Sequence, residues 1–330
     1  MRSGHAGNTP VAIANTFRTY DAKGLREDLS DAIYNISPTD TLFLSNAGRA
    51  SAKSVLFDWQ TDELADPDAT NAHVQGDDVD SFDAVGATER VGNYTQISRK
   101  TVIIADTEEV VSKAGRRKEM AYQLSKKSAE LKRDMEAILV SNQGAVAGAT
   151  AVAGKTASIL AWIKTNVDKA NDGANPAWST VPTAGRTDGT ARAFTETMLK
   201  AVIQSQYEQG GHCDMVMVPP SLKVVASGFQ GISTQYTQTP SRKPTAIIAA
   251  ADVYVSDFGV FSIVPNRFMR TGTNKEALVL DFDLIDVAYL RPFNTIPLAK
   301  TGDAEKRMLV VEYGLKVHQE KGLGAAVDLS

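Results

Sequence analysis

The chain has 330 residues, 43% hydrophobic and 22% charged, with a formal net charge of −4. This composition describes a folded protein long enough for two domains or one domain with large insertions. The mild acidity excludes a strongly basic nucleic-acid binder. One cysteine, Cys213, excludes an internal disulfide framework and a Cys-based zinc site, and His5, His73, His212 and His318 are too scattered for a His-based one. No apolar run approaches the roughly 18 residues of a membrane span, and the N-terminus lacks a signal-peptide core. Cytoplasmic synthesis without membrane association is the expectation.

Residues 1–16 are small and polar and read as a mobile arm. Leu25, Leu29, Ile33 and Ile36 then recur at helical spacing until Pro38 stops the pattern. Their neighbours are too polar to supply a core, so Phe17, Tyr20, Leu25, Leu29 and Ile33 are expected to dock elsewhere. Val55 to Thr61 alternates like a strand, and a second strand-like run extends from Tyr94 through Ile97 to Ile104. About thirty acidic, Gly-rich residues separate them, which predicts a projecting hairpin with a long functional tip. Between Ser54 and Glu89 stand ten carboxylates and no lysine or arginine, whereas Arg90 to Arg133 carries eleven Lys/Arg against five Asp/Glu. Such segregation points to copies of the chain clasping one another rather than to an enzyme.

A long helix is predicted from Arg117 to Asn142, with Met120, Leu124, Leu131, Met135, Ile138 and Leu139 in one apolar stripe. Residues 143–192 are Ala/Gly/Thr-rich, with a short apolar patch at Ile159–Val167 and a loop from Asn171 to Arg192. A second helix runs from Phe194 to Gln209, capped by Gly210 and Gly211. The strand Met215–Val218, a short helix from Ser221, and strands at Asp252–Val255, Val260–Val264, Ala277–Leu284 and Leu309–Val317 complete the reading. The pattern is α+β, without regular βαβ alternation.

Chemical motifs are weak. AGKT at Ala153–Thr156 has the ending of a phosphate-binding loop, but position 149, where its first glycine belongs, is alanine. GLGAAV at Gly322–Val327 reads as a C-terminal tail rather than a dinucleotide fingerprint. His212 and Cys213 are adjacent and badly placed for a nucleophile–base pair, so Cys213 reads as a buried strand residue. The acidic tip does not have EF-hand spacing. No cofactor, metal or catalytic residue is expected.

Three blocks resemble a known family: FRTYDAKGLREDLSDAIYNISPTDTLF with FDWQTDEL (Phe17–Leu64), DVYVSDFGVFSIVPNRFM (Asp252–Met269) and VAYLRPFNTIPLAKTGDAEKRMLVVEYGLKVHQEKGLG (Val287–Gly324). They are similar to the tailed-phage major capsid proteins of the SU-ten-type major head protein branch. The resemblance implies a Hong Kong 97-like fold: N-terminal arm at 1–45, extended-loop hairpin at 46–105, peripheral domain at 106–189 with a spine helix at 117–142, axial domain at 190–303, and a return to the peripheral domain plus tail at 304–330.

It further implies a virion shell protein, forming hexamers and pentamers of an icosahedral head assembled in a bacterial host cytoplasm. Its implied partners are a portal protein, a scaffold or decoration protein, and packaged double-stranded DNA held non-specifically. A shell subunit of a bacterial encapsulating nanocompartment, which shares the fold, is one alternative, and a P-loop NTPase built on AGKT is the other. The expected inter-subunit contacts on the hairpin are Phe57, Trp59, Asp62, Glu63, Asp66, Asp68, Asp77, Asp78, Asp80 and Asp83. Their expected counterparts on the spine are Arg116, Arg117, Lys118, Lys126 and Lys127. The family archetype crosslinks its subunits through a loop lysine. Here the nearest are Lys53 and Lys100 at the loop's base, so the shell is expected to dissociate into free monomers in denaturant. Arg291, in an Arg-Pro-Phe turn of the axial domain, is expected to meet a carboxylate.

Overall fold

A computed structural model of the chain describes residues 40–76, 78, 82, 84–111, 118–229 and 253–330. The predicted helix at Leu25–Ile36 and the docking residues Phe17, Tyr20, Leu25, Leu29 and Ile33 lie outside them. The description opens on a short helix absent from the sequence reading, α1 (Leu42–Asn46), then strand β1 (Gly48–Ser51). The hairpin strands are β2 (Leu56–Thr61) and β3 (Glu89–Tyr94), followed by β4 (Gln96–Ala105) and the short helix α2 (Asp106–Val110). The predicted single return strand is therefore two. Only β3 pairs with β2, whereas β4 leaves the hairpin for another sheet.

The long helix is α3 (Glu119–Leu139), shorter at both ends than expected. Glu109 caps it from α2, accepting the Glu119 and Met120 amides at 3.1 and 3.2 Å, where an acid complements the helix dipole. Leu131, Met135 and Leu139 are fully buried, as the apolar stripe predicts. The apolar patch becomes α4 (Ile159–Trp162) and β5 (Asn166–Asp168), and the second helix becomes α5 (Glu196–Glu208). There follow β6 (Met215–Val218), α6 (Pro220–Ala226), β7 (Val253–Ser256), β8 (Gly259–Pro265), β9 (Lys275–Leu280), β10 (Ile285–Pro297), β11 (Ala304–Val317) and β12 (Gly324–Leu329).

Two main sheets organise these elements. One has the order β1-β10-β11-β4 and the other β5-β12-β9-β6-β8-β7, while β2 and β3 pair only with each other. The expected sequence boundaries do not follow the sheets. Ile285–Pro297, assigned to the axial domain, belongs to the sheet of β4 and β11, and the C-terminal strand crosses into the six-stranded sheet. GLGAAV is thus no tail: β12 lies between β5 and β9 with every residue buried. Its small side chains are the reason, since a Cβ on Gly324 would stand 2.6 Å from Val202 Cγ1 of α5. Arg291 does meet a carboxylate, Glu312 at 2.6 Å, but within β10 and across the sheet from β11 rather than in a turn.

AGKT is not a phosphate cradle. Lys155 and Val146 bridge in a tight hairpin, and the Thr156 hydroxyl is committed to the Leu315 amide and Asn93. Cys213 is buried, and burial pushes its thiol well above the ordinary range.

One buried carboxylate joins three elements. Glu136, fully buried on α3, accepts the Phe43 and Leu44 amides of α1 at 2.7 and 2.9 Å and Asn266 Nδ2 at 2.7 Å. Burial pushes its carboxyl upward, opposed by these donors. Glu136→Gln turns one acceptor oxygen into a donor facing donors. It is expected to cost about 1–3 kcal/mol, read by chemical denaturation, with faster amide exchange concentrated at Phe43 and Leu44.

Candidate assembly surface

The feature that distinguishes this molecule is the segment joining β2 to β3. Every described residue from Asp62 to Thr88 is exposed. Among them Leu64, Val74, Phe82 and Val85 are 97%, 77%, 89% and 97% exposed. These four apolar side chains stand open to solvent on one loop. Asp62, Asp66, Asp68 and Asp78 are exposed beside them, whereas Asp77, Asp80 and Asp83 lie outside the described residues. Asp68 accepts the Thr70 hydroxyl and amide, which hold its carboxyl below the usual range.

The loop's root is packed against the body of the chain. Phe57 and Trp59 stack at 5.8 Å, Trp59 lies 5.4 Å from the buried Trp162, and Trp162 meets Trp178 edge-on at 5.0 Å. Trp178 Nε1 donates to the Trp162 carbonyl, and Lys164 Nζ sits 3.9 Å above the Trp178 ring. Phe57 in turn rests where a side chain at position 314 would be. A Cβ on Gly314 would come within 2.5 Å of its ring, so glycine in β11 lets the hairpin lie against the sheet. Phe57 and Trp59, expected to lack a core and to await a neighbour, are therefore seated on their own chain.

Polar contacts complete the anchor. Asn93 of β3 is fully buried, and its Nδ2 donates to the Leu315 carbonyl at 2.7 Å and to Thr156 Oγ1 at 3.0 Å. Its Oδ1 accepts the Ala157 amide at 2.9 Å. Thr95 Oγ1 donates to Glu312. Glu63 pairs with Lys321 at 2.5 Å and holds that lysine's pKa above the ordinary value, so this loop acid is used within the chain. Arg90 and Asp58 pair across the hairpin.

Two of the three described lysines expected on the basic face are paired within the chain, as is Lys100. Lys118 lies 3.7 Å from Glu109, Lys127 pairs with Glu130 at 2.7 Å, and Lys100 with Asp134 at 2.5 Å. Lys126 and Lys132 are exposed on α3, and Arg116 and Arg117 lie outside the described residues. The structure thus separates the sequence-predicted contacts. Phe57, Trp59 and Glu63 build the root, while Asp62, Asp66, Asp68 and Asp78 lie on the exposed loop. Asn93, Trp162, Trp178 and Gly314 escaped the sequence reading, since each acts only through partners far along the chain.

Among the described residues no group of three His, Cys, Asp or Glu side chains is placed to hold a metal ion, and no helix is long and apolar enough to cross a membrane.

Comparisons with known proteins agree with this geometry. The capsid of cyanophage A-1(L) matches with a TM-score of 0.65 over 94% of this chain and 98% of that one, at 12% identity. The encapsulin SrpI of Synechococcus elongatus matches with a TM-score of 0.56 over 93% and 97%, at 9% identity. At such identities these likenesses establish the Hong Kong 97-like fold alone. The major capsid protein of Escherichia phage Phieco32 is 30% identical over 337 residues, covering 93% of this chain and 95% of that protein. The family model for the SU10 major capsid protein matches residues 12–330. A fold shared with viral shells, a relative matched almost end to end and a family model spanning nearly the whole sequence agree: the chain belongs to the SU10 major capsid protein family.

Proposed function

We propose that this phage major capsid protein assembles, through its acidic loop, into hexamers and pentamers of an icosahedral head that encloses double-stranded DNA. The observation that carries the reading is a loop exposed along all of its described length yet fastened at its root. An unanchored acidic loop would be a solvated tether. A fastened one presents Leu64, Val74, Phe82 and Val85 in a defined direction, where a second copy of the chain can bury them. The carboxylates Asp62, Asp66, Asp68 and Asp78 choose which surface of the neighbour is accepted, because wrong pairings juxtapose like charges. Lys126 on the long helix of that neighbour supplies the complementary charge, together with Arg116 and Arg117, which precede the helix in the sequence. A portal protein, a scaffold or decoration protein and non-specifically held DNA are the remaining partners, and the assembled particle forms in the host cytoplasm and persists in the virion. The family's role is structural, and no catalytic step belongs to this reading.

Each exposed ion pair contributes only about 0–1 kcal/mol, but the contact recurs around every capsomer. Reversing Asp62, Asp66, Asp68 and Asp78 together to lysine is expected to raise the protein concentration needed for assembly at least tenfold at low salt. The difference should narrow as salt screens the charges. Light scattering and electron microscopy of purified protein read the outcome. Closed shells forming at the same concentration and with the same salt dependence as the wild type would falsify the pairing.

A further inference from the structure

A linear array of five charged side chains links β9, the β8–β9 turn, the 171–192 loop and β12. Glu276 of β9, fully buried, accepts from Arg270 Nε at 3.3 and 3.0 Å. Arg270 turns its terminal nitrogens to Asp188 at 2.6 and 3.2 Å. Asp188 also accepts from Arg186 at 2.7 Å, and Arg186 grips Asp328 of β12 through two bonds at 2.8 and 2.9 Å. Three carboxylates face two guanidiniums, so the array fully ionised carries one negative charge too many.

The surplus belongs to Glu276. Asp328 has Arg186 and the Ala170 and Gly189 amides, and Asp188 has two arginines, but Glu276 has Arg270 alone among the bonds described. Asp188 and Arg186 also act on it through space, the first raising its pKa and the second lowering it. β6 (Met-Val-Met-Val) is apolar, and β12 offers only Asp328.

We propose that Glu276 is a proton-operated lock: protonated, it leaves the array neutral and holds the β8–β9 turn and the 171–192 loop against the C-terminal strand; ionised, it loosens them. The lock works within one chain and is independent of how copies assemble. Burial pushes the Glu276 carboxyl up to about 7, with Arg270 opposing it. The native state therefore binds this proton more tightly than the unfolded chain, where the ordinary value is 4.5. The stabilisation is complete below that ordinary value and is lost as pH rises through about 7.

The test uses the full chain and its Glu276→Gln variant, unfolded by urea at pH steps across this window. In the wild type the unfolding equilibrium constant should rise by up to about tenfold per pH unit. In E276Q, whose amide stays neutral, that component should vanish. The difference between the two isolates this group from Glu136 and Asp281, whose carboxyls burial also raises. Infrared difference spectra provide a second readout that survives a destabilised variant. A protonated-carboxyl band should fade in the wild type as pH passes neutrality and be missing from E276Q. Identical pH dependence of unfolding in the two proteins, or no wild-type band at pH 5.5 that E276Q lacks, overturns the proposal.

Discussion

Asp328→Ala is expected to remove about 3–5 kcal/mol of folding stability, measured by chemical denaturation, because it takes from the buried Arg186 guanidinium its two-bond carboxylate partner, leaving only Asp188, and strips the Ala170 and Gly189 amides of their acceptor. Asp328 is fully buried, and its carboxylate accepts four bonds: two from Arg186 and one each from the Ala170 and Gly189 amides. Burial acts to raise its pKa, but these donors overcome it and hold the carboxyl below the ordinary range. Its contribution is therefore present above the ordinary aspartate pKa and lost as pH falls below it, the reverse of the Glu276 case. Asp328 also takes a left-handed backbone, with φ 57°, which aspartate tolerates better than most residues. A double change that replaces Arg186 and Asp328 with apolar residues of similar volume should recover most of the loss. If Asp328→Ala alone costs less than about 1 kcal/mol, the pair is not what pins the C-terminal strand.

Trp162→Ala should be the most damaging change to the hairpin. Trp162 is 1% exposed and sits between Trp59 and Trp178, so truncation opens a large cavity directly below the loop's root. The cost is about 3–5 kcal/mol, and Trp162→Phe should keep most of the packing. The functional consequence is larger than the stability loss implies. With Trp59 unsupported, the loop loses its fixed direction and must be ordered again at each contact with a neighbour, at an entropic cost. Assembly should accordingly weaken even at temperatures where the variant remains folded. Limited proteolysis between Asp62 and Thr88, compared in wild type and variant under those conditions, reads the loosening. Unaltered cleavage together with unaltered assembly would show that the tryptophan cluster does not direct the loop.

The elements best anticipated from sequence were those whose signal is local. The stripe from Met120 to Leu139 has helical period, and α3 formed there. Leu309 to Val317 alternates, and β11 runs through it with both faces largely buried. The run from Tyr94 to Ile104 was misjudged for a physical reason. Strand propensity is continuous across it, and only the pairing partner changes, from β2 for Glu89–Tyr94 to β11 for Gln96–Ala105. Gly322–Val327 was misjudged because a strand of small residues looks like a tail until a helix packs on it. Lys118 and Lys127 looked available to a partner, yet their acids stand within the same chain: Glu109 is brought near by the fold of α2, and Glu130 lies one helical turn further on.

By itself, the sequence determined the acidic, lysine-free loop, the long amphipathic helix, the α+β class and the family resemblance, since all of these are written in runs of neighbouring residues. Tertiary structure alone decided which of the candidate contact residues remain outward. Phe57 and Trp59 turned in to meet Gly314 and Trp162, and Glu63, though exposed, pairs with Lys321, while Leu64, Phe82, Asp62 and Asp66 stayed outward. Burial and charge pairing depend on which distant segments the fold brings together, and no local pattern encodes that distance.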